Sequence, residues 1–261
     1  IKYMNNEDLD DFIDSFKNLG EKSMNNILEI KGVLRKLIQV LNDNIEGDVV
    51  ELGCNKGGTS IWIRRILDIY KKKFNIDKEF HVYDSWEGVP DKHYNDYCEN
   101  FKNDISAQIN GKGEKIEIEK IIRINQTTWK KGTTKTSLDI FKNYFTQKHL
   151  KLPHIHSGFF KDIPDIEYPE KICFAFFDGD FYTSIMDSFD KVYSKITSNG
   201  IIVVDDCGDN TLVGVKQACI HFLLNKPEEL QLDAYPTINE EWERNKDNLN
   251  ICFWGGWIKK I

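Results

Sequence analysis

The second half of the chain contains two short apolar runs separated by a longer stretch with a different pattern. The runs span 172–177 and 201–204, and both are rich in β-branched or aromatic residues and bounded by turn residues. Runs of this kind indicate buried strands. Between them, apolar residues recur with helical spacing over 182–196, and Asn199-Gly200 is predicted to end that helix. The pattern therefore predicts a β-α-β unit.

Similar patterns predict further elements on both sides of this unit. Helices are predicted over 6–17, 23–41, 59–70, 138–145 and 214–224. Strands are predicted over 49–52, 80–83, 229–238 and 250–258, with a strand end and turn at 154–160. This alternation favours an α/β fold with a mostly parallel twisted sheet and helices on both faces, and the last two strands favour a C-terminal antiparallel hairpin.

Aspartates follow both strands of the β-α-β unit. Asp178 and Asp180 come directly after the first strand, and Asp205 and Asp206 come directly after the second. In open α/β sheets, ligands bind at the edge formed by the carboxyl ends of the strands. Crowded carboxylates are unfavourable unless a proton or a cation lies between them, and Mg²⁺ prefers oxygen ligands. The acids therefore predict a divalent-metal site, while the alternative that some only cap helices or turns stays open.

A turn with several glycines follows the strand at 49–52. Gly53 ends that strand, and Gly57-Gly58 opens the next helix. Glycine allows a tight turn and a close approach of ligand to backbone, and the free N–H groups of a helix start favour an anionic or polar group. A nucleotide-type binding loop is predicted, although a purely structural turn remains the alternative. Asp84 ends the following strand, where a carboxylate can accept hydrogen bonds from two ribose hydroxyls, unless it only starts a turn.

Composition narrows the class of partner. The chain has 261 residues and a net charge of −7, which argues against nucleic acid or an anionic membrane as the main partner. It has no apolar run long enough to span a bilayer, no signal-peptide pattern and no C-x-x-C pair among its six cysteines. These features predict a cytoplasmic location with reduced thiols. The start at Ile1 rather than Met leaves open that the chain is part of a longer, multidomain polypeptide.

The motifs, taken in order, resemble the macrocin O-methyltransferase (TylF-like) family of sugar O-methyltransferases, which depend on S-adenosylmethionine and Mg²⁺. The matching segments are GDVVELGCNKGGTS, YDSWEGVP, SGFFKDIP, FFDGDFYTSIMDSFDKVYSKITSNGIIVVDDCG and GVKQACIHF. The resemblance covers most of residues 24–224 and implies a Rossmann-like class I methyltransferase fold. One domain is expected, with N-terminal helices or a lid at 1–46, a cofactor-binding half at 47–97, an insertion at 98–150, and a metal and acceptor half with the hairpin at 151–261.

The resemblance also implies roles for individual residues. Asp178, Asp205 and Asp206 are the expected metal ligands, and Asp180 is either a fourth ligand or the catalytic base. Apart from the resemblance, His156 at the strand end of 154–160 is a second candidate base, while a purely structural histidine remains the alternative. The expected cofactor contacts are Glu51, Gly53, Gly57, Thr59, Ser60, Asp84, Ser85, Ser157, Gly158, Phe159 and Asp178. The implied acceptor is a sugar hydroxyl of a small-molecule glycoside or glycan, without a nucleic-acid or membrane partner, and family members tend to form homo-oligomers.

Three other functions stay open from the sequence. Asp178-Gly179-Asp180 also fits the D-x-D motif of metal-dependent glycosyltransferases. A catechol-type O-methyltransferase would use the same cofactor and metal on an aromatic hydroxyl. A non-enzymatic cofactor-binding or interaction module is the third alternative. Binding of S-adenosylhomocysteine, of a nucleoside diphosphate, or of neither separates these classes.

Overall fold

The structure is a computed structural model that describes residues 3–16, 24–25, 27–97, 129–209, 211–233 and 255–261. Much of the predicted insertion at 98–150, the beginning of the predicted helix at 23–41 and the middle of the predicted hairpin lie outside the described residues. Cys98 and Cys252 also lie outside them, whereas the other four cysteines are free and buried, as the reduced-thiol prediction expects.

The described residues alternate between helices and strands. The helices are α1 (Asn6–Phe16), α2 (Ile27–Asn42), α3 (Gly58–Phe74), α4 (Leu138–Gln147), α5 (Tyr182–Val192) and α6 (Val213–Leu223). The strands are β1 (Asp48–Leu52), β2 (Phe80–Asp84), β3 (His154–Ser157), β4 (Ile172–Phe177), β5 (Ile196–Val204), β6 (Gln231–Asp233) and β7 (Gly255–Lys259). Each helix and strand predicted from the sequence overlaps one of these elements of the described residues.

All seven strands belong to one sheet, in the order β3-β2-β1-β4-β5-β7-β6. The first five are parallel to one another, and β7 runs antiparallel to both β5 and β6. The predicted mostly parallel sheet and the antiparallel pairing of the last two strands are therefore confirmed. Among the described residues, no helix is long and apolar enough to cross a membrane.

Two hydrophobic cores flank the sheet and show why β4 is apolar throughout. Phe174 and Phe176 point to one face, where they pack with residues of α1 to α4, whereas Ala175 and Phe177 point to the other face, where α5 and α6 lie. All six residues of β4 are buried. Because full burial of a large apolar side chain contributes roughly 1.5–3 kcal/mol, this central strand anchors both layers.

The predicted end of the helix over 182–196 is wrong. The α-helical part of α5 stops at Val192, and Asn199-Gly200 lies inside β5 instead of ending a helix. The sheet accommodates these residues with a change of register along β4 and β5, and Asn199 adopts a left-handed conformation (φ 65°) while its N–H donates to the carbonyl of Lys260. Asn199-Gly200 suggested a helix end because both residues tolerate a positive φ. In the structure, the same tolerance allows an irregularity within a strand.

The parallel strands bring their carboxyl ends to a common edge. Hydrogen bonds continue past these ends, because the N–H of Asp178 donates to the carbonyl of Leu52, and the N–H of Asp205 donates to the carbonyl of Phe177. The first acid after each strand is thus still held by the neighbouring strand, and the turns that follow β1, β2, β3, β4 and β5 gather around one space.

Candidate active site

A cavity of about 1120 Å³ opens at the carboxyl edge of the sheet. It brings together most of the residues that the sequence had predicted as functional, although these come from five separate turns. The predicted residues that line it are Glu51, Gly53, Thr59, Asp84, Ser85, Gly158, Phe159, Asp178, Asp180, Asp205 and Asp206.

Three carboxylates converge on one side of this cavity. Oxygen atoms of Asp178, Asp205 and Asp206 lie within 4.8 Å of one another. Asp180 and Asp206 have left-handed backbones, with φ of 62° and 54°, which turn the chain sharply just after β4 and β5. Only two strand ends are needed to build the cluster, because β4 and β5 are neighbours in the sheet.

Mutual repulsion and burial make this cluster unfavourable for three full charges. Burial raises the pKa of Asp178 well above its usual value, and the charges of Asp205, Asp180 and Asp206 raise it further. Burial likewise raises the pKa of Asp206 well above its usual value, followed by repulsion from Asp205 and Asp180. A hard divalent cation relieves the same repulsion, and carboxylate oxygens at this spacing are the ligands that Mg²⁺ takes. The donor set therefore fits a divalent-metal site.

Gly53 is required where the turn after β1 passes the turn after β4. Its backbone has φ 95°, and a Cβ added there would lie 1.9 Å from the carbonyl oxygen of Asp178. Gly57 also has positive φ, but its Cβ would meet the ring of Phe141 at 3.0 Å, and Gly58 rather than Gly57 lines the cavity. The first glycine therefore shapes the cavity wall, whereas Gly57 allows α3 to pack against α4.

Glu51 is a buried acid that lines the cavity. The Ser60 hydroxyl donates to Glu51 Oε2 at 2.5 Å, and Glu51 is only 1% exposed. Burial raises the pKa of Glu51 to about 8, with a smaller contribution from Asp84, while the hydrogen bond from Ser60 opposes the change. Glu51 therefore carries a proton at neutral pH, and Ser60 acts on Glu51 instead of lining the cavity.

Asp84 is oriented by backbone groups of its surroundings. One carboxylate oxygen accepts the N–H of Asn55 at 2.8 Å, and the other accepts the N–H of Trp86 at 2.7 Å. Burial raises the pKa of Asp84, and these amide hydrogen bonds partly offset that effect. Asp84 lines the cavity, and a carboxylate oxygen can accept more than one hydrogen bond, so Asp84 can also accept hydroxyl donors from a ligand.

The structure does not bring His156 or Ser157 to the cavity wall. The ring nitrogens of His156 pair with Glu167 Oε2 at 2.9 Å and with His81 Nδ1 at 3.1 Å. Ser157 accepts a hydrogen bond from the indole N–H of Trp86 at 3.1 Å. Both side chains are occupied in contacts behind the cavity, so this geometry favours Asp180 over His156 as the base.

Several cavity residues were not found from the sequence. The amide Nδ2 of Asn25 donates to Asp205 Oδ2, across a separation of 180 residues that no local pattern reveals. Glu29 of α2 and Asp209 also line the cavity beside the acids. On α5, Thr183 and Asp187 both line it, and their i, i+4 spacing on a helix that starts at the Asp180 turn was the signal that could have identified them.

Characterised proteins with similar sequences are antibiotic-modifying methyltransferases. The chain is 26% identical over 187 residues to a demethyldecarbamoylnovobiocin O-methyltransferase from Streptomyces niveus, with 70% of this chain and 62% of that protein covered. It is 25% identical over 190 residues to a mycinamicin III 3''-O-methyltransferase from Micromonospora griseorubida, with 72% of this chain and 63% of that protein covered. The chain thus spans less than two thirds of the length of these relatives.

Solved structures support the same fold. The O-methyltransferase NovP superposes with a TM-score of 0.62 at 20% identity, over 91% of this chain and 81% of that one. The calicheamicin methyltransferase CalS11 gives a TM-score of 0.59 at 11% identity, over 99% of this chain and 94% of that one. These likenesses confirm the Rossmann-like methyltransferase fold. Residues 14–223 match the family described as macrocin-O-methyltransferase (TylF), and the chain belongs to that family.

Proposed function

We propose that this chain is an S-adenosylmethionine-dependent O-methyltransferase that acts on a sugar hydroxyl with the help of a divalent cation. The observation that carries the proposal is a single cavity with two unlike sides. One side has the Gly53 turn and Asp84, which suit a nucleoside with an amino-acid tail, and the other has Asp178, Asp205 and Asp206, which suit a cation and an oxygen acceptor.

The cofactor side is assigned by its hydrogen-bonding capacity. Asp84 offers free lone pairs to the two ribose hydroxyls while its backbone partners fix its orientation. Gly53 leaves space in the cavity wall for the amino-acid end of the cofactor. Gly158 supplies backbone and Phe159 supplies an apolar ring for contact with the adenine. This assignment places the sulfonium methyl group between Asp84 and the three acids.

The acid side is assigned by its charge. Asp178, Asp205 and Asp206 would hold the cation, which when bound would lower the pKa of a coordinated hydroxyl and orient it. Asp180 lines the same wall, and its pKa is raised by burial and then by Asp205 and Asp84. A carboxylate with a raised pKa is a stronger base, so Asp180 is the proposed acceptor of the proton that the acceptor hydroxyl loses.

A sugar acceptor follows from the relatives, since one of them is named as a methyltransferase of a 4'-hydroxyl on a dimethoxyrhamnosyl tetracenomycin. The proposed class of acceptor is therefore a small-molecule glycoside or glycan with a free ring hydroxyl.

The first test measures cofactor binding and methyl transfer on the same preparation. Calorimetric titration with S-adenosylhomocysteine should show binding in both Mg²⁺ and EDTA, whereas methyl transfer from S-adenosylmethionine to rhamnosides, followed by mass spectrometry, should require Mg²⁺. Asp205→Ala should abolish transfer and keep cofactor binding, with Asp190→Ala, an exposed acid of α5, as the control.

Other outcomes point to the alternative functions. Failure to bind S-adenosylhomocysteine, with binding of a nucleoside diphosphate and Mn²⁺ instead, would replace the proposal with the glycosyltransferase reading of Asp178-Gly179-Asp180. Transfer to catechols and not to any glycoside would keep the enzyme class and change the acceptor to an aromatic hydroxyl. Transfer that is unaffected by EDTA would remove the cation from the proposal.

A further inference from the structure

One buried carboxylate outside the cavity contacts both helices that follow the acid turns. Asp96 ends a short 3₁₀ turn at Tyr94–Asp96 and is only 4% exposed. Its Oδ1 accepts the backbone N–H of Tyr182 at 2.7 Å, and its Oδ2 accepts the N–H of His93 at 2.8 Å. A buried acid is costly to maintain, so its contacts show what it stabilises.

The first contact caps α5. This helix begins at Tyr182, directly after the Asp178–Asp180 turn, and its own N-cap residue, Phe181, provides no side-chain hydrogen bond. The N-terminal N–H groups of a helix need acceptors, and the positive end of the helix dipole favours a carboxylate. Asp96 supplies both from a position 86 residues earlier in the chain.

The second contact is with the first turn of α6. A Cβ added at Gly214 would lie 1.7 Å from Asp96 Oδ1, so the carboxylate occupies the space that any larger residue would need. This helix follows the Asp205–Asp206 turn, and its N-cap residue, Leu212, also provides no side-chain hydrogen bond. Asp96 is therefore wedged between the N-terminal ends of the two helices that continue from the two acid turns.

Ring contacts hold the segment around Asp96 in the same place. The His93 ring stacks on Tyr182, with centroids 4.6 Å apart and an interplanar angle of 15°. The hydroxyl of Tyr182 in turn lies 3.1 Å from Nδ1 of His221 on α6. The segment thus contacts α5 through a side chain as well as through the carboxylate, and the same tyrosine of α5 contacts α6.

We propose that Asp96 is a positioning residue for methyl transfer, which fixes α5 and α6 relative to each other and thereby sets the spacing of the Asp178 and Asp205-Asp206 turns. This inference rests on the proposed function, since it assigns a role to Asp96 in the same site. The three acids repel one another before a cation arrives, although the Asn25 amide donates to Asp205 and the neighbouring strands hold the backbone of Asp178 and Asp205. Asp96, which caps α5 and lies against Gly214 of α6, adds a restraint on the two helices that follow these acids. Asp96 touches neither cofactor nor acceptor in this assignment.

Two substitutions perturb the contact from opposite sides. Asp96→Asn keeps the size of the side chain but removes the charge and one acceptor, and Gly214→Ala forces a methyl group against the carboxylate. Matched controls are Asp190→Asn, an exposed acid of α5, and Gly255→Ala, where the added Cβ would have its nearest contact at an ordinary 3.8 Å from the carbonyl oxygen of Val204.

The readouts separate positioning from plain structural support. Both Asp96→Asn and Gly214→Ala should weaken Mn²⁺ affinity, measured by electron paramagnetic resonance, and lower kcat, each by roughly tenfold or more, as found when partners that orient metal ligands are removed. The Kd for S-adenosylhomocysteine should change less than twofold. Measurements are made well below the melting temperature of each variant, so that loss of folded protein does not enter.

Variants that melt earlier but retain wild-type kcat and Mn²⁺ affinity would overturn the inference, because Asp96 would then support only the fold. Equal loss of cofactor binding and of kcat would also overturn it, since the effect would not be confined to the acid turns. A wild-type chain without methyl-transfer activity would overturn the proposed function and this inference together, whereas active wild type with unaffected variants would overturn the inference alone.

Discussion

Substitution of His81 by glutamine should remove an acid-sensitive part of the folding stability. His81 lies on β2 in a continuous row of stacked rings that crosses from β3 to the Tyr168 region. Its ring lies 4.6 Å from His154 and 5.4 Å from His156, and His156 in turn stacks on Tyr83 at 4.5 Å. Protonation of His81 would place a charge in this partly buried row beside two other imidazoles.

The size of the effect follows from the pKa. Burial, followed by the charges of His154 and His156, lowers the pKa of His81 from 6.5 to about 4. At about 1.36 kcal/mol per pKa unit, this difference corresponds to at most roughly 3 kcal/mol, and partial solvent exposure reduces it to about 2 kcal/mol. The folded chain binds the His81 proton less readily than the unfolded chain does. This part of the free energy of unfolding is therefore fully present above about pH 6.5 and is lost as the pH falls toward 4.

Urea unfolding at a series of pH values measures this directly. Between pH 6.5 and pH 4, the free energy of unfolding of His81→Gln should fall by about 2 kcal/mol less than that of wild type. His149→Gln is the matched control, because this histidine is exposed and does not belong to the ring row. If His81→Gln loses stability as steeply as wild type over this range, the explanation from burial in the ring row is wrong.

Three further predictions concern the cavity. Gly53→Ala should lower the melting temperature and abolish cofactor binding in calorimetry, because it combines an unfavourable φ of 95° with a Cβ at 1.9 Å from the Asp178 carbonyl oxygen; unchanged binding would contradict this. Asp178→Asn should melt at a higher temperature than wild type in EDTA, since one repelling acid is removed, and should lose the stabilisation that Mg²⁺ gives wild type; a lower melting temperature in EDTA would count against the repulsion. Glu51→Gln should match the stability of wild type at low pH and exceed it near pH 8. Between about pH 4.5 and about pH 8, the unfolded wild-type chain has released the Glu51 proton whereas the folded chain still holds it, so wild type loses stability as the pH rises through this range. Identical pH profiles in urea unfolding would refute this prediction.

Features encoded by neighbouring residues were predictable from the sequence. Apolar runs followed by acids predicted both strand ends and the convergence of Asp178 with Asp205, because parallel strands joined by one helix must end at one edge. Gly53 was predicted for the same reason, as a turn residue after a strand. Asn199-Gly200 was misassigned because a positive φ is compatible with a helix end and with a strand irregularity, and only the pairing with β4 decides between them.

Features that depend on distant contacts were not predictable. Asn25 contacts Asp205, and Asp96 contacts Tyr182 and Gly214, through side chains whose partners lie far away along the chain. His156 was a candidate base because histidine is a common one, but its neighbours on β2 and the Glu167 turn hold both ring nitrogens. In each case the chemical type of the side chain could be read from the sequence, whereas tertiary packing determined where the side chain points.

The two sides of the cavity differ in how their geometry is maintained, and this difference explains why Asp96 matters. Asp84 is held by backbone N–H groups of Asn55 and Trp86, so its orientation depends on neighbouring turns that attract the carboxylate. Asp178, Asp205 and Asp206 repel one another, so their spacing depends more on contacts outside the cluster. Because α5 begins at Tyr182 and α6 at Val213, each after one of the acid turns, a carboxylate between the two helix starts can restrain that spacing. Substitution of Asp96 should therefore weaken metal binding at the acid cluster and spare cofactor binding. Substitution of Gly53 should instead abolish cofactor binding, because the added side chain blocks the wall of the cofactor side.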